Sequence, residues 1–360
     1  MKRVLIIVPR FESLGRGVEV FAKYLAGGLD SKKLAVTVLS GPHTNENLPF
    51  HCIQFPLWER SSINQYLGKF LSALPARLMC SPSDIESLSL MISARKFLKV
   101  HSFDVIFPLG GTWTYRFAKQ YFPNAKIISV GQAGPVRADL LLSDYFVALT
   151  PVDQERAQLI CPTLGMRTIP NGVDLSKFKP KKLTSTNPGL RRILCVGAYS
   201  KDKHQELLLD ALAYLDPNVI CVLVGAGPEK SRLEQHPMVS SGRVQFIELT
   251  HHEMPIIYQS ADVFTLPAPT EAFGIVFLEA LASGLPVVAH DAPRQRFVIG
   301  DSGLFCNVLD PKAYAKSLNM ALALPYDEAR ILQAEKFTWH DIIRQYEILL
   351  DDLDGTDGNK

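Results

Sequence analysis

The hydrophobic positions of this chain fall into short, nearly unbroken runs separated by stretches with helical spacing. In the first half the runs are residues 4–9 (VLIIVP), 35–40 (AVTVLS), 104–110 (DVIFPLG), 125–131 (AKIISVG) and 145–150 (YFVALT). In the second half they are residues 192–198 (RILCVGA), 219–227 (VICVLVGAG), 243–249 (RVQFIEL), 262–268 (DVFTLPA) and 285–290 (LPVVAH). A strand with one wet face alternates polar and apolar residues, whereas a strand covered on both faces reads apolar throughout. The pattern therefore predicts an α/β protein whose parallel sheets are covered by helices on both sides, a doubly wound unit built twice over. A passage rich in Pro, Gly, Asn and Ser, residues 170–190, separates the two. This gives a front domain over 1–170, a back domain over 171–336 and a last helix over 337–351.

Composition supports two soluble domains. The 360 residues exceed one ordinary core, and 47% hydrophobic with 21% charged residues is the balance of a globular protein. No run approaches the roughly 18 apolar residues of a membrane span. Met1, Lys2 and Arg3 lead directly into the first strand without the apolar core of a signal peptide, so a cytoplasmic location is expected. The six cysteines (52, 80, 161, 195, 221, 306) show no C-x-x-C spacing and read as reduced thiols.

The net charge is only +2, but residues 1–170 hold 19 Lys and Arg against 12 Asp and Glu, leaving 19 against 24 in the remainder. A basic front half could attract an anionic acceptor or the inner membrane surface; ordinary solvated charge explains it as well. Residues 60–79 carry Ile63, Tyr66, Leu67, Phe70, Leu71 and Leu74 at helical spacing. They fit either a membrane-surface or acceptor-binding flap or a helix packed on the front domain. No dense Lys/Arg run interleaved with aromatics appears, which argues against nucleic acid.

The most informative stretch is residues 270–284, TEAFGIVFLEALASG. Glu271 stands in a turn, Gly274 opens a helical pattern (Ile275, Phe277, Leu278, Leu281), and Gly284 marks its end. At 1.5 Å rise per residue, Glu279 lies roughly 7 Å along the axis from the amides of Gly274 and Ile275, about the span of a diphosphate. A helix N-terminus presents unpaired N–H groups and a positive dipole end, which suit a phosphate. The two carboxylates would accept hydrogen bonds from hydroxyls on either side.

This Glu-x7-Glu pattern, with Phe273-Gly274 behind the first Glu and Ala280, Ala282, Gly284, Pro286 and Val287 following, resembles the signature of retaining, nucleotide-sugar-dependent glycosyltransferases of family 4. The resemblance extends to PNGVD (170–174) with Phe178, VGA (196–198) with Lys203, VGAGP (224–228), ADVFTLP (261–267) and FTWHDIIRQYEIL (337–349), covering the C-terminal half; the N-terminal half matches only by its glycine loop. It implies the GT-B fold, two Rossmann-like domains facing a cleft, with the last helix packed back on the first domain. It also implies transfer of a sugar, with retention, from a nucleoside-diphosphate sugar to a hydroxyl acceptor that is a glycan, a lipid-linked sugar or a small glycoside. Glu271 and the amides of Phe273 and Gly274 would position the sugar, Glu279 would bind ribose, and Lys203 would offset the leaving diphosphate's charge.

The glycine loops fit a phosphate ligand. Gly15 and Gly17 precede a helix in the first βα junction, where backbone can approach a ligand that side chains would block. In the family this loop borders the donor phosphates and the acceptor. Gly197 and Gly225 close the first two strands of the back domain. Two positions depart from the family pattern. Ala198 stands where an Arg is common, a loss that Lys201, His204 or Arg16 could offset, and Gln132 stands where a His is often found. His251 and His252 fit a solvated loop or a ligand contact. No Asp-x-Asp follows a strand, so a metal-independent enzyme without cofactor is expected. A GT-B-fold epimerase or sugar phosphorylase would show its own acid-base residues or a pyridoxal lysine; a non-catalytic sugar-nucleotide-binding subunit remains the other reading.

Overall fold

The computed structural model describes residues 1–10, 17–29, 33–42, 48, 50–58, 82–180, 189–250, 252–325 and 327–355. The chain divides into two compact units, one formed by Met1–Pro170 together with Ile343–Lys360, the other by Asn171–Ile342. Each contains one parallel sheet.

In unit 1 the strands are β1 (Lys2–Val8), β2 (Leu34–Ser40), β3 (His51–Gln54), β4 (Val105–Pro108), β5 (Lys126–Val130), β6 (Tyr145–Ala148) and β7 (Gly165–Thr168), in the order β3-β2-β1-β4-β5-β6-β7. β1 is central, and Val4 to Ile7 are fully buried. Burial on both faces is why that run carries no polar alternation. Val4 lies opposite Val36 on one side and Val105 on the other. Leu5, Ile7, Leu39, Ile106 and Ile127 of the sheet pack with Leu90, Met91, Ala94 and Leu98 of the helix Pro82–Val100. The helix Trp339–Gly355 supplies Tyr346, fully buried, with ring centroids 5.8 Å from Phe21 and 6.0 Å from Phe107. Lys2 Nζ donates to the Leu350 carbonyl at 2.8 Å.

In unit 2 the strands are β8 (Arg191–Val196), β9 (Val219–Val224), β10 (Val244–Ile247), β11 (Val263–Leu266), β12 (Val287–His290) and β13 (Gly303–Cys306), in the order β10-β9-β8-β11-β12-β13. The order reverses between β8 and β11, so the connections leaving these neighbours diverge and open a crevice at their carboxyl ends, where ligands of such sheets bind. Unit 1 has the same reversal between β1 and β4.

Three strands escape the hydrophobic pattern. β3, β7 and β13 are sheet edges, and no residue in them is fully enclosed. An edge strand is covered on fewer sides, so short polar or mixed segments such as HCIQ and GMRT suffice. The helix expected over residues 60–79 lies outside the described residues, as do Gly15, Arg16, Cys80 and His251. Among the described residues no helix is long and apolar enough to cross a membrane. The described cysteines are free, and burial pushes the Cys195 thiol up to about 12.

Candidate functional site at the carboxyl ends of β8 and β11

Two loops meet at the reversal in unit 2. The first leaves β8 through Gly197, Ala198 and Tyr199 and enters a single 3-10 turn, Lys201–Lys203, then the helix Gln205–Leu212. Gln205, buried, donates from Nε2 to the Ala198 carbonyl at 2.9 Å, and Tyr199 donates its hydroxyl to the Leu223 carbonyl at 2.9 Å. These two bonds fix the loop from both sides. His204 sits at φ 51°, the one described non-glycine residue with positive φ, and places Lys203 at the end of the turn. Ala198 is exposed, its carbonyl committed to Gln205.

The second loop leaves β11 and carries Glu271 to the start of the helix Ile275–Ala282. Gly274 caps that helix at φ 80°. A Cβ there would stand 2.5 Å from the Phe277 ring and 3.1 Å from Glu271 Cγ, so glycine is required by both backbone and space. Gln295, buried, donates Nε2 to the Ala268 carbonyl at 3.0 Å and ties this loop to the helix Pro293–Ile299.

Lys203 and Glu271 meet across the two loops. Lys203 Nζ lies 2.7 Å from Glu271 Oε2, with side chains 22% and 11% exposed, and the second carboxylate oxygen accepts from the Ala272 amide at 3.1 Å. Burial works against the ammonium charge, but Glu271 and Asp202 outweigh it and hold the Lys203 pKa above its usual value. The cation is therefore permanent at physiological pH.

Glu279 occupies the next turns of the same helix and is only 5% exposed. Tyr258 donates its hydroxyl to Glu279 Oε2 at 2.7 Å. Burial raises this carboxyl from 4.5 to about 7, partly opposed by the Tyr258 hydrogen bond. Phe273 and Ile275 are buried, Phe273 edge-to-face against Phe337 at 6.2 Å, so their side chains belong to the core. What they can offer a ligand is backbone N–H.

Gly225 follows β9 and approaches the first loop so closely that a Cβ would stand 2.1 Å from the Gly197 carbonyl oxygen. Gly197, Gly225, Lys203, Glu271, Gly274 and Glu279 thus belong to one end of the second sheet. Gly17 begins the helix Gly17–Leu29 of unit 1, and Gln132 follows β5 there. His252 is exposed. Among the described residues no group of three or more His, Cys, Asp and Glu is placed to hold a metal ion. The pattern of the chain does not reveal Tyr258 or Gln295: both are polar residues inside segments that read as ordinary helix.

Residues 177–336 match the family model described as glycosyl transferases group 1. The match takes in most of the second unit, Asn171–Ile342. The site residues Gly197, Lys203, Gly225, Glu271, Gly274 and Glu279 all lie within the matched stretch. Among proteins of known activity, it is 30% identical over 238 residues to the GDP-mannose-dependent alpha-(1-6)-phosphatidylinositol dimannoside mannosyltransferase of Mycobacterium tuberculosis, an alignment spanning 58% of this chain and 61% of that one. It is 32% identical over 205 residues to the D-inositol 3-phosphate glycosyltransferase of Corynebacterium urealyticum, 48% of each. The chain thus spans between about half and three-fifths of these relatives' length. Its fold is that of the sucrose-phosphate synthase of Thermosynechococcus elongatus (TM-score 0.75, 19% identity, 99% of this chain and 100% of that one). It is also that of Anabaena HepE, solved with UDP and glucose (TM-score 0.73, 16% identity, 98% and 100%). These are GT-B proteins, and two Rossmann-like units in one chain are that fold class.

Proposed function

We propose that this chain is a retaining glycosyltransferase of group 1 that moves a sugar from a nucleoside-diphosphate sugar to a hydroxyl of a sugar-containing acceptor. The observation that carries this reading is the Lys203–Glu271 pair at the carboxyl ends of β8 and β11, 2.7 Å apart and mostly buried. A fixed cation beside a fixed carboxylate, at the point where a doubly wound sheet binds its ligand, suits a substrate with an anionic diphosphate joined to a hydroxylated sugar.

In this reading Lys203 meets the negative charge that gathers on the diphosphate as the glycosidic bond breaks. Its raised pKa keeps it protonated throughout. The amides of Phe273, Gly274 and Ile275 and the backbone at Gly197 and Gly225 hold the phosphates, which is why the close-packed glycines matter. Glu271, held by Lys203 and the Ala272 amide, orients the sugar, and Glu279 accepts from the ribose hydroxyls. Bonds that tighten as charge moves onto the leaving group lower the barrier. The acceptor approaches on the side of the sugar from which the diphosphate departs, so configuration is retained. The diphosphate charge is met by Lys203 and the helix N-terminus without a metal ion. The glycine loop with Gly15 and Gly17 is assigned to the donor phosphates and the acceptor.

A relative named for GDP-mannose supports the donor class, and relatives named for phosphatidylinositol dimannoside and inositol 3-phosphate support an anionic or lipid-linked acceptor. The excess of 19 basic over 12 acidic residues in 1–170 favours such an acceptor, and a peripheral position at the inner membrane surface.

The test is a panel of nucleotide sugars with and without phosphoinositide and glycoside acceptors, read by thermal shift and by release of nucleoside diphosphate. Acceptor-dependent release is the expected result. Binding without release in any combination would favour a non-catalytic sugar-nucleotide-binding subunit, and an altered sugar still joined to its nucleotide would favour an epimerase.

A further inference from the structure

Tyr258 is the penultimate residue of the helix Met254–Gln259 and is fully enclosed. Its ring stands edge-on to Phe178 at 5.5 Å and tilted against Phe264 at 5.6 Å. Phenylalanine would fill such an aromatic pocket equally well, so the hydroxyl is there for its partner. A phenol has one proton to give. At 2.7 Å Glu279 Oε2 takes it, and the Val276 carbonyl at 3.5 Å is too distant to compete.

Two consequences follow for Glu279. The torsion that turns a glutamate's carboxylate is broad and nearly two-fold, so an untethered group presents either oxygen over a range of directions. With Oε2 tied to a closely packed ring, the carboxylate plane is restrained, and Oε1 is the oxygen left for a further partner. A carboxylate held so is a selective acceptor for a hydroxyl in one place.

Resting on the reading of Glu279 as the ribose contact, we propose that Tyr258 is the positioning residue for that carboxylate, and that through it the protein distinguishes ribonucleotides from deoxyribonucleotides. Tyr258 itself touches no substrate. It converts a buried Glu279 into a directed acceptor for the ribose hydroxyls.

The test is calorimetric binding of UDP and GDP, each beside its 2′,3′-dideoxy counterpart, to the parent and to Tyr258→Phe. The parent should prefer the ribonucleotide by about tenfold or more, the worth of a hydrogen bond to a charged group. Tyr258→Phe should lose most of that preference by weakening the ribonucleotide about tenfold while leaving the dideoxy form unchanged. Equal weakening of both forms, or a preference that survives, overturns the proposal, because a purely structural role would not separate them. Glu279→Gln retains an acceptor for the Tyr258 hydroxyl and serves where Tyr258→Phe fails to fold; it should lose the preference too, and a preference kept there also overturns the assignment. Failure of sugar transfer with this binding pattern intact would sink the transferase reading and leave Tyr258 its role. A parent that binds neither nucleotide overturns both.

Discussion

Replacing Glu279 by Gln should stabilise the protein at alkaline pH while impairing its nucleotide site. The carboxyl is buried, and its pKa is raised from 4.5 to about 7. Below about pH 4.5 folded and unfolded chains both carry the proton, and the group costs nothing. Between pH 4.5 and 7 the unfolded chain ionises first, so stability falls as pH rises; above 7 the full penalty applies. A gap of about 2.5 units at 1.36 kcal/mol each is a cost of roughly 3 kcal/mol. Glutamine cannot ionise, and its carbonyl still accepts from Tyr258. In a unit of the size of Asn171–Ile342, where 1 kcal/mol moves the midpoint by about 2–4 °C, Glu279→Gln should melt roughly 6–12 °C higher at pH 8 and about level with the parent near pH 4.5. Calorimetric melts of both proteins at several pH values measure this. A difference that does not change with pH, or a variant less stable at pH 8, would refute the reasoning. The stability given up at this position is what a site residue commonly costs.

Three further outcomes are expected. Lys203→Ala should lower kcat about 10²- to 10³-fold, the loss typical of removing one preorganised charge partner; because it also leaves Glu271 buried beside no cation, Lys203→Met with Glu271→Gln should recover stability but not activity, as melts and turnover on the pair will show. Activity should be unchanged by EDTA, and loss restored by Mg²⁺ or Mn²⁺ would contradict a diphosphate held by Lys203 and backbone amides. Gly274→Ala forces a Cβ onto the Phe277 ring at φ 80°, so it should cost about 1–3 kcal/mol by urea titration and displace Glu271, with turnover falling more than nucleotide affinity.

The sheets were legible because their central strands are enclosed on both faces. Runs such as VLIIV and VICVLV have no other reason to be continuous. The edges were not, since β3 and β13 need too little burial to leave a pattern, and only the apolar VQFI of β10 gave an edge away. The stretch around Glu271 announced itself through spacing and glycine. What spacing could not convey was which partners each carboxylate would find: Lys203 is 68 positions from Glu271, and Tyr258 is 21 from Glu279. Such pairings depend on how separate βα units stack in the sheet, which no local window contains. The close approach of Gly225 to the Gly197 carbonyl, which leaves no room for a Cβ, likewise joins two loops that no local window contains together.

Tyr346, which closes over Phe21 and Phe107, comes after the whole of residues 171–342 in chain order. On a ribosome adding roughly 5–20 residues per second, that interval is about ten to thirty seconds. Through it the nascent first unit holds β1 and the helix Gly17–Leu29 without the ring that covers them, while the second unit, continuous in sequence, can complete itself as it emerges. Unit 1 is first out of the exit tunnel and last to be finished.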